Sequence, residues 1–234
     1  MKPKILCVLN VFMNYEHIVE CFESIYQDGI DYFILENKSE NSDKILEYFK
    51  TKRLVGYLQS EENVTYGTVN FFMKNYKELI NSYDYLTISD GDIKVFNVDS
   101  MYNEMFNILN DSNVKVCCVK IVKDNLPNIP GSSSWVPTGE IVDNRYIKSI
   151  SGTFMMTFKK ENFFIPQNIE LFFDTHIHKF VKEVGGISAI TLINESKHLT
   201  WDYYYDGNPY YEWKKNNQWV LTAHRKETKF NQVI

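Results

Sequence analysis

The stretch Tyr83-Asp84-Tyr85-Leu86-Thr87-Ile88-Ser89-Asp90-Gly91-Asp92 decides how the rest of the chain is read. Residues 83–88 form an apolar run with the composition of a buried strand, and its tail delivers two carboxylates separated by a glycine. Carboxylate oxygens suit a hard divalent cation such as Mg2+ or Mn2+. Gly91 lets the backbone turn so that Asp90 and Asp92 converge on one ion, or on a ribose beside it. A metal held there would in turn hold a diphosphate. Asp-Gly is also an ordinary turn dipeptide, so a site requires further parts from the elements around it.

Upstream, short β-branched and apolar runs alternate with stretches at helical spacing, the pattern of a parallel sheet with crossover helices. Residues 4–11 read as the first strand, Asn14 as a helix cap, and Ile18, Phe22 and Ile25 as one helical face, with Gly29 after it. A second strand over 32–35 runs into the polar loop Glu36-Asn37-Lys38-Ser39-Glu40-Asn41-Ser42. A helix carrying Ile45, Leu46 and Phe49 follows, then a third strand over 55–58. A third helix over 68–80 places Val69, Phe72, Tyr76 and Leu79 on one stripe, and the strand ending at Asp90-Gly91-Asp92 is the fourth.

Downstream, Asp99 or a neighbour caps a helix with Met101, Met105, Ile108 and Leu109 inward, and 115–122 returns as a strand. Residues 124–145, with Pro127, Pro130, Gly131, Pro137, Gly139 and three consecutive serines, read as a long loop of the kind that is usually functional. Residues 147–158 read as a strand interrupted by Ser151-Gly152-Thr153, where glycine lets a ligand approach the backbone. A helix over 174–184 stops at Gly185-Gly186, 187–193 is a last strand, and the tail is polar and aromatic.

The chain has 234 residues, enough for one substantial core, and no linker composition divides it. The net charge of −5 provides no basic field for nucleic acid. No apolar run approaches the roughly 20 residues of a bilayer span. The start, Met1-Lys2-Pro3-Lys4, lacks a signal core, so a cytoplasmic location is expected. Cys7, Cys21, Cys117 and Cys118 form no C-x-x-C pair; Cys7, Cys117 and Cys118 fall in strand-like runs and read as buried reduced thiols.

With its D-x-D turn after a fourth strand, this order of elements resembles the nucleotide-sugar glycosyltransferases of the GT-A fold, especially the large family 2 group, over about residues 4–200. The resemblance implies a single α/β, Rossmann-like domain with a mostly parallel central sheet flanked by helices. Residues 1–98 would form its nucleotide-sugar-binding half and 99–234 its acceptor-binding half. It implies that Asn10 and Glu36 touch the base, that Asn63, Gly67 and Asn70 match the family's residues before and in the third helix, and that Asp90, Gly91 and Asp92 hold the metal diphosphate. The cofactor implied is Mn2+ or Mg2+, with His198 completing the metal shell; the competing reading of His198 is a solvent-exposed side chain. The family's Glu-Asp pair is here Phe173-Asp174, and Asp174 is implied as the catalytic base. One carboxylate within reach of the acceptor hydroxyl suffices for that, although an aspartate at this place also suits a helix N-cap. His176 and His178, two apart, face different sides of a helix and do not share a metal.

Trp201, Tyr203, Tyr204, Tyr205, Tyr210, Tyr211 and Trp213 make a dense aromatic patch, suited to stacking sugar rings or to covering the sheet. Lys214, Lys215, Arg225 and Lys226 suit a diphosphate, an anionic membrane surface or a plain solvated face. The expected activity is transfer from a UDP- or GDP-linked sugar donor to a saccharide or lipid-linked saccharide acceptor, with inversion, in surface polysaccharide synthesis of bacterial type and with peripheral membrane association. Two alternatives are a non-catalytic glycan-binding or scaffolding protein of the same fold and a sugar nucleotidyltransferase. Against the latter, Asn10-Val11-Phe12-Met13-Asn14 lacks the glycines of its phosphate loop.

Overall fold

The computed structural model describes residues 2–127, 132, 137, 139–149, 154–163, 173–216 and 228–234, with backbone alone at 173–175, 209 and 213. The first strand, β1 (Ile5–Phe12), is apolar at almost every position because both its faces are covered. Ile5, Cys7, Leu9 and Val11 enter one core layer, while Leu6 and Val8 enter the other. Helix α1 (Tyr15–Ile25) buries Ile18, Cys21, Phe22 and Ile25 as the spacing predicts, and Asn14 sits at its N-cap without a side-chain capping bond. Next come β2 (Ile30–Asn37), α2 (Ser42–Lys50) and β3 (Gly56–Ser60).

The stripe expected as one helix over 68–80 is two, α3 (Gly67–Asn75) and α4 (Lys77–Asn81). They part at Tyr76, which leaves helical geometry at φ −112° and packs its ring against Phe33 and Phe72. The chain continues through β4 (Tyr85–Asp90), a short β5 (Ile93–Val95), α5 (Val98–Leu109) and β6 (Val114–Ile121). Asn97, beside the expected Asp99, caps α5 by accepting from the Ser100 N–H at 3.0 Å.

Within the expected loop 124–145 a hairpin begins. Strands β7 (Glu140–Val142) and β8 (Tyr146–Lys148) flank Asp143 and Asn144 at φ 50° and 53°, the left-handed pair of a tight hairpin turn. The strand expected over 147–158 is therefore divided: β8 ends at Lys148, and β9 (Met155–Lys159) lies elsewhere in the sheet. Ser151-Gly152-Thr153 lies outside the described residues. After α6 (Phe173–Glu183), β10 (Ile187–His198) runs five residues beyond the expected last strand, because its polar end pairs with β5 and β6. Helix α7 (Pro209–Asn216) and β11 (Phe230–Gln232) complete the described chain.

All eleven strands join one sheet in the order β11-β3-β2-β1-β4-β9-β6-β10-β8-β7, with β5 on β10. The segment β3-β2-β1-β4 is parallel, and β9 enters antiparallel between β4 and β6, so the whole is a mixed α/β sheet. Core side chains from α1, α2 and α5 cover one face and those from α3, α4 and α6 the other. Each fully buried aliphatic or aromatic side chain stabilises by about 1.5–3 kcal/mol. That double burial holds the carboxyl ends of β1 and β4 side by side, with Asn10 in register with Asp90.

Candidate active site

In open α/β sheets, ligands sit beyond the carboxyl ends of the strands. Here a cleft in that position is lined by Asn10, Asn63, Asp90, Gly91, Asp92 and His198, together with Asn37, Thr65, Tyr66, Tyr210 and Lys214. Asp90 ends β4, and both its carboxylate oxygens lie within reach of the Tyr66 hydroxyl, at 2.8 and 3.0 Å. Gly91 has no left-handed φ. A side chain there would meet Val11 Cγ1 at 2.6 Å, so the glycine is required for its close approach to β1, where its N–H donates to the Asn10 carbonyl at 2.9 Å.

Asp92 faces His198 across the end of β10. Thr200 Oγ1 donates to Asp92 Oδ2 at 2.7 Å and stands 3.0 Å from His198 Nδ1, which is itself 3.5 Å from Asp92 Oδ2. Burial lowers the His198 pKa to about 4 against the opposing pull of Asp92, so the ring is neutral at physiological pH and this contact is not an ion pair. A neutral imidazole is the form that binds a metal. Trp201 stacks flat on the ring at 4.4 Å, and the His198 backbone N–H donates to Asn125 Oδ1 at 2.6 Å, which fixes the histidine's position. His198 is thus buried, and the solvent-exposed reading does not hold.

Donor atoms of Asp90, Asp92 and His198 lie within 4.8 Å of one another. Asp92 Oδ1 is buried and, among the described residues, has no hydrogen-bond partner. A carboxylate oxygen left in that state is costly unless a cation completes it, so the residues present fit a divalent metal.

Two residues at or beside the cleft have left-handed backbone. Thr65 (φ 52°) lines it and Met13 (φ 64°) follows Phe12, which also lines it; left-handed geometry is costly for a β-branched side chain. Asn37 braces this floor: its Nδ2 donates to Asn10 Oδ1 (3.1 Å) and the Thr65 carbonyl (3.0 Å), and its Oδ1 accepts from the Val64 N–H (2.9 Å). Asn63 Oδ1 accepts from the Thr65 N–H at 2.9 Å.

Not every expected residue reaches the cleft. Glu36 is wholly buried and absent from the lining; its Oε2 accepts from the Tyr57 hydroxyl and, at 2.6 Å, from Gln59 Nε2, and burial raises its pKa against those donors. Asp174 lies in the first turn of α6 with its side chain outside the described residues, as are Arg225, Lys226 and the Trp213 side chain. His178 is buried against Ser188 Oγ at 2.7 Å, whereas His176 is exposed. The cysteines are buried free thiols, with Cys7 pushed up to about 12 by burial. In the aromatic patch, Trp201 and Tyr204 are buried, Tyr203 stacks on His17, and Tyr205 is exposed. Among the described residues no helix is long and apolar enough to cross a membrane.

The sheet order and the cleft at its carboxyl edge define a class: the chain has the GT-A fold of nucleotide-sugar glycosyltransferases. It is similar to PcManGT, a mannosyltransferase from Pyrobaculum calidifontis solved with GDP-Man and Mn2+, with a TM-score of 0.58 and 15% identity over 96% of this chain and 63% of that one. It is also similar to TarS of S. aureus in complex with UDP-GlcNAc, with a TM-score of 0.55 and 14% identity over 84% and 60% of the two chains. No protein-family model matches the chain. In sequence it is similar to two uncharacterised proteins of Acanthamoeba polyphaga mimivirus. One is 27% identical over 92% of this chain and 48% of its own length, the other 26% over 98% and 28%. The chain thus spans about half or less of these relatives.

Proposed function

We propose that this chain is a metal-dependent glycosyltransferase that moves a sugar from a UDP- or GDP-linked donor to a hydroxyl of a glycan or lipid-linked saccharide. The observation that supports it most is the convergence of Asp90, Asp92 and His198 within 4.8 Å in a cleft at the strand ends, with a buried Asp92 oxygen unpartnered among the described residues. Asp90, Asp92 and His198 would hold Mn2+ or Mg2+, which when bound supplies positive charge against the departing nucleoside diphosphate.

The chain's own residues do the rest. Asn10 and Asn63 line the cleft with amides for base and ribose, a role that passes to them from Glu36, which the lining leaves out. Asp174, at the start of α6, takes the proton of the acceptor hydroxyl, whose oxygen attacks the anomeric carbon opposite the leaving group and inverts it. The donor site draws on both halves of the chain, since His198, Tyr210 and Lys214 line it with residues 10–92. The exposed Tyr203 and Tyr205 offer stacking faces to an acceptor sugar. With such an acceptor the enzyme would act in surface polysaccharide assembly, on the cytoplasmic side of a membrane it meets peripherally.

Thermal shift with UDP- and GDP-sugars tests the reading: a donor raises the melting temperature only when Mn2+ or Mg2+ is present. Equal shifts with and without metal, or saccharide binding with no nucleotide binding, count against it. Asp174→Asn should keep donor binding and lose transfer by roughly 100- to 10,000-fold. Retained transfer removes Asp174 from the role of base.

A further inference from the structure

The lining of the cleft includes a lysine that the metal site does not use. Lys214 lies on α7 four residues after Tyr210, a spacing that puts both on one helical face, and both line the cleft. The helix is anchored by Asn208, whose Oδ1 accepts from the Tyr210 and Tyr211 N–H groups at 2.9 and 3.3 Å. The Lys214 ammonium sits 4.8 Å from the Tyr204 ring centre and 5.9 Å from that of Tyr210, and it donates to the Tyr204 hydroxyl. Tyr204 in turn stacks on Tyr211 at 5.3 Å.

Among the described residues Lys214 has no carboxylate within ion-pair distance, whereas its neighbour Lys215 is paired with both Asp206 and Glu212. Both Lys214 and His198, one of the three candidate metal ligands, line the same cleft. An ammonium held at the Tyr204 hydroxyl in a cleft it shares with Asp90 and Asp92, with no carboxylate of its own among the described residues, keeps its charge available to an anion entering there.

We propose that Lys214 binds the diphosphate of the donor in the cleft it shares with Asp90 and Asp92, and holds its negative charge as the nucleoside diphosphate leaves. This rests on the reading of the cleft as a nucleotide-sugar site and assigns it a cationic residue. The compact ammonium bonds phosphate oxygens as a point charge, while its bond to the Tyr204 hydroxyl holds it in place.

The test is titration calorimetry on the wild type, Lys214→Met and Lys214→Arg with Mn2+ alone, and with UDP, GDP and the matching monophosphates at saturating Mn2+. A charge-assisted hydrogen bond to phosphate corresponds to about a tenfold or larger loss of diphosphate affinity in Lys214→Met. The monophosphate should change far less, and the arginine variant should recover most of the loss. Removing a positive charge from the cleft should leave Mn2+ binding unchanged or slightly tighter, whereas a collapsed cleft would weaken it. Diphosphate affinity equal to wild type in Lys214→Met, or equal losses for mono- and diphosphate, overturns the assignment while leaving the metal site in place. If the wild type binds Mn2+ but neither diphosphate, the assignment falls together with the reading beneath it.

Discussion

Asp92 is held on one side and open on the other: Oδ2 accepts from Thr200, and Oδ1 has no partner among the described residues. Asp92→Asn keeps the shape but removes the charge. It should therefore abolish the Mn2+-dependent rise in melting temperature while leaving the metal-free value unchanged or higher, since a costly unpartnered charge is gone. Thr200→Val, isosteric at a buried position, removes the hydroxyl that orients both Asp92 and His198, and should weaken Mn2+ binding by roughly 10- to 100-fold in calorimetry. Asn37→Ala strips partners from the Val64 N–H and the Thr65 carbonyl; urea unfolding should show a loss of about 2–3 kcal/mol. Asp90 and Asp92 are legible in the sequence because strand, turn and acids are contiguous. Thr200 is not, because it reaches Asp92 from 108 positions away, and no local periodicity encodes such a contact. Tyr66 met the same obstacle, and Lys214 stood in the sequence as one of four scattered cations.

Among the elements, β10 carries His198 to the cleft and depends on a carboxylate from another element. Glu104 of α5 accepts from the backbone N–H groups of Leu192, Ile193 and Asn194 at 2.7, 2.9 and 2.8 Å, and from Asn194 Nδ2 at 2.7 Å. These bonds clamp the irregularity where β10 changes register against β6 between Ile190 and Glu195. Glu104→Ala should cost about 2–4 kcal/mol, speed amide exchange at residues 192–194, and weaken metal binding through His198. The far end of β10 was invisible to pattern reading because Asn194-Glu195-Ser196-Lys197 is polar; it is a strand only because β5 and β6 supply its hydrogen bonds. The parallel half was legible for the converse reason: two covered faces demand nearly continuous apolar strands. Asp143-Asn144 did carry a local hairpin signal, masked by the surrounding prolines and serines.

Across the whole molecule, stability should respond to pH through buried groups of opposite sign, histidines such as His178 and His198 on one side and Glu36 on the other. Burial lowers the His178 pKa from 6.5 to about 4, so between those values the unfolded chain binds the extra proton and stability rises with pH. The span amounts to roughly 3 to 4 kcal/mol at most. Glu36 is raised by burial, so its contribution is fullest in acid and fades as pH climbs. Melting temperatures from pH 4 to 7 should climb less steeply in His178→Gln, whereas Glu36→Gln should gain on the wild type as pH increases.

The sheet's β3 margin is covered by β11, whose Phe230 stacks on Phe71 at 4.0 Å. A strand border left bare is a template on which other chains polymerise. Trimming residues 228–234 would therefore bare the five-residue edge of β3 in place of the three-residue edge of β11, and light scattering should record self-association at concentrations where the intact chain stays dispersed.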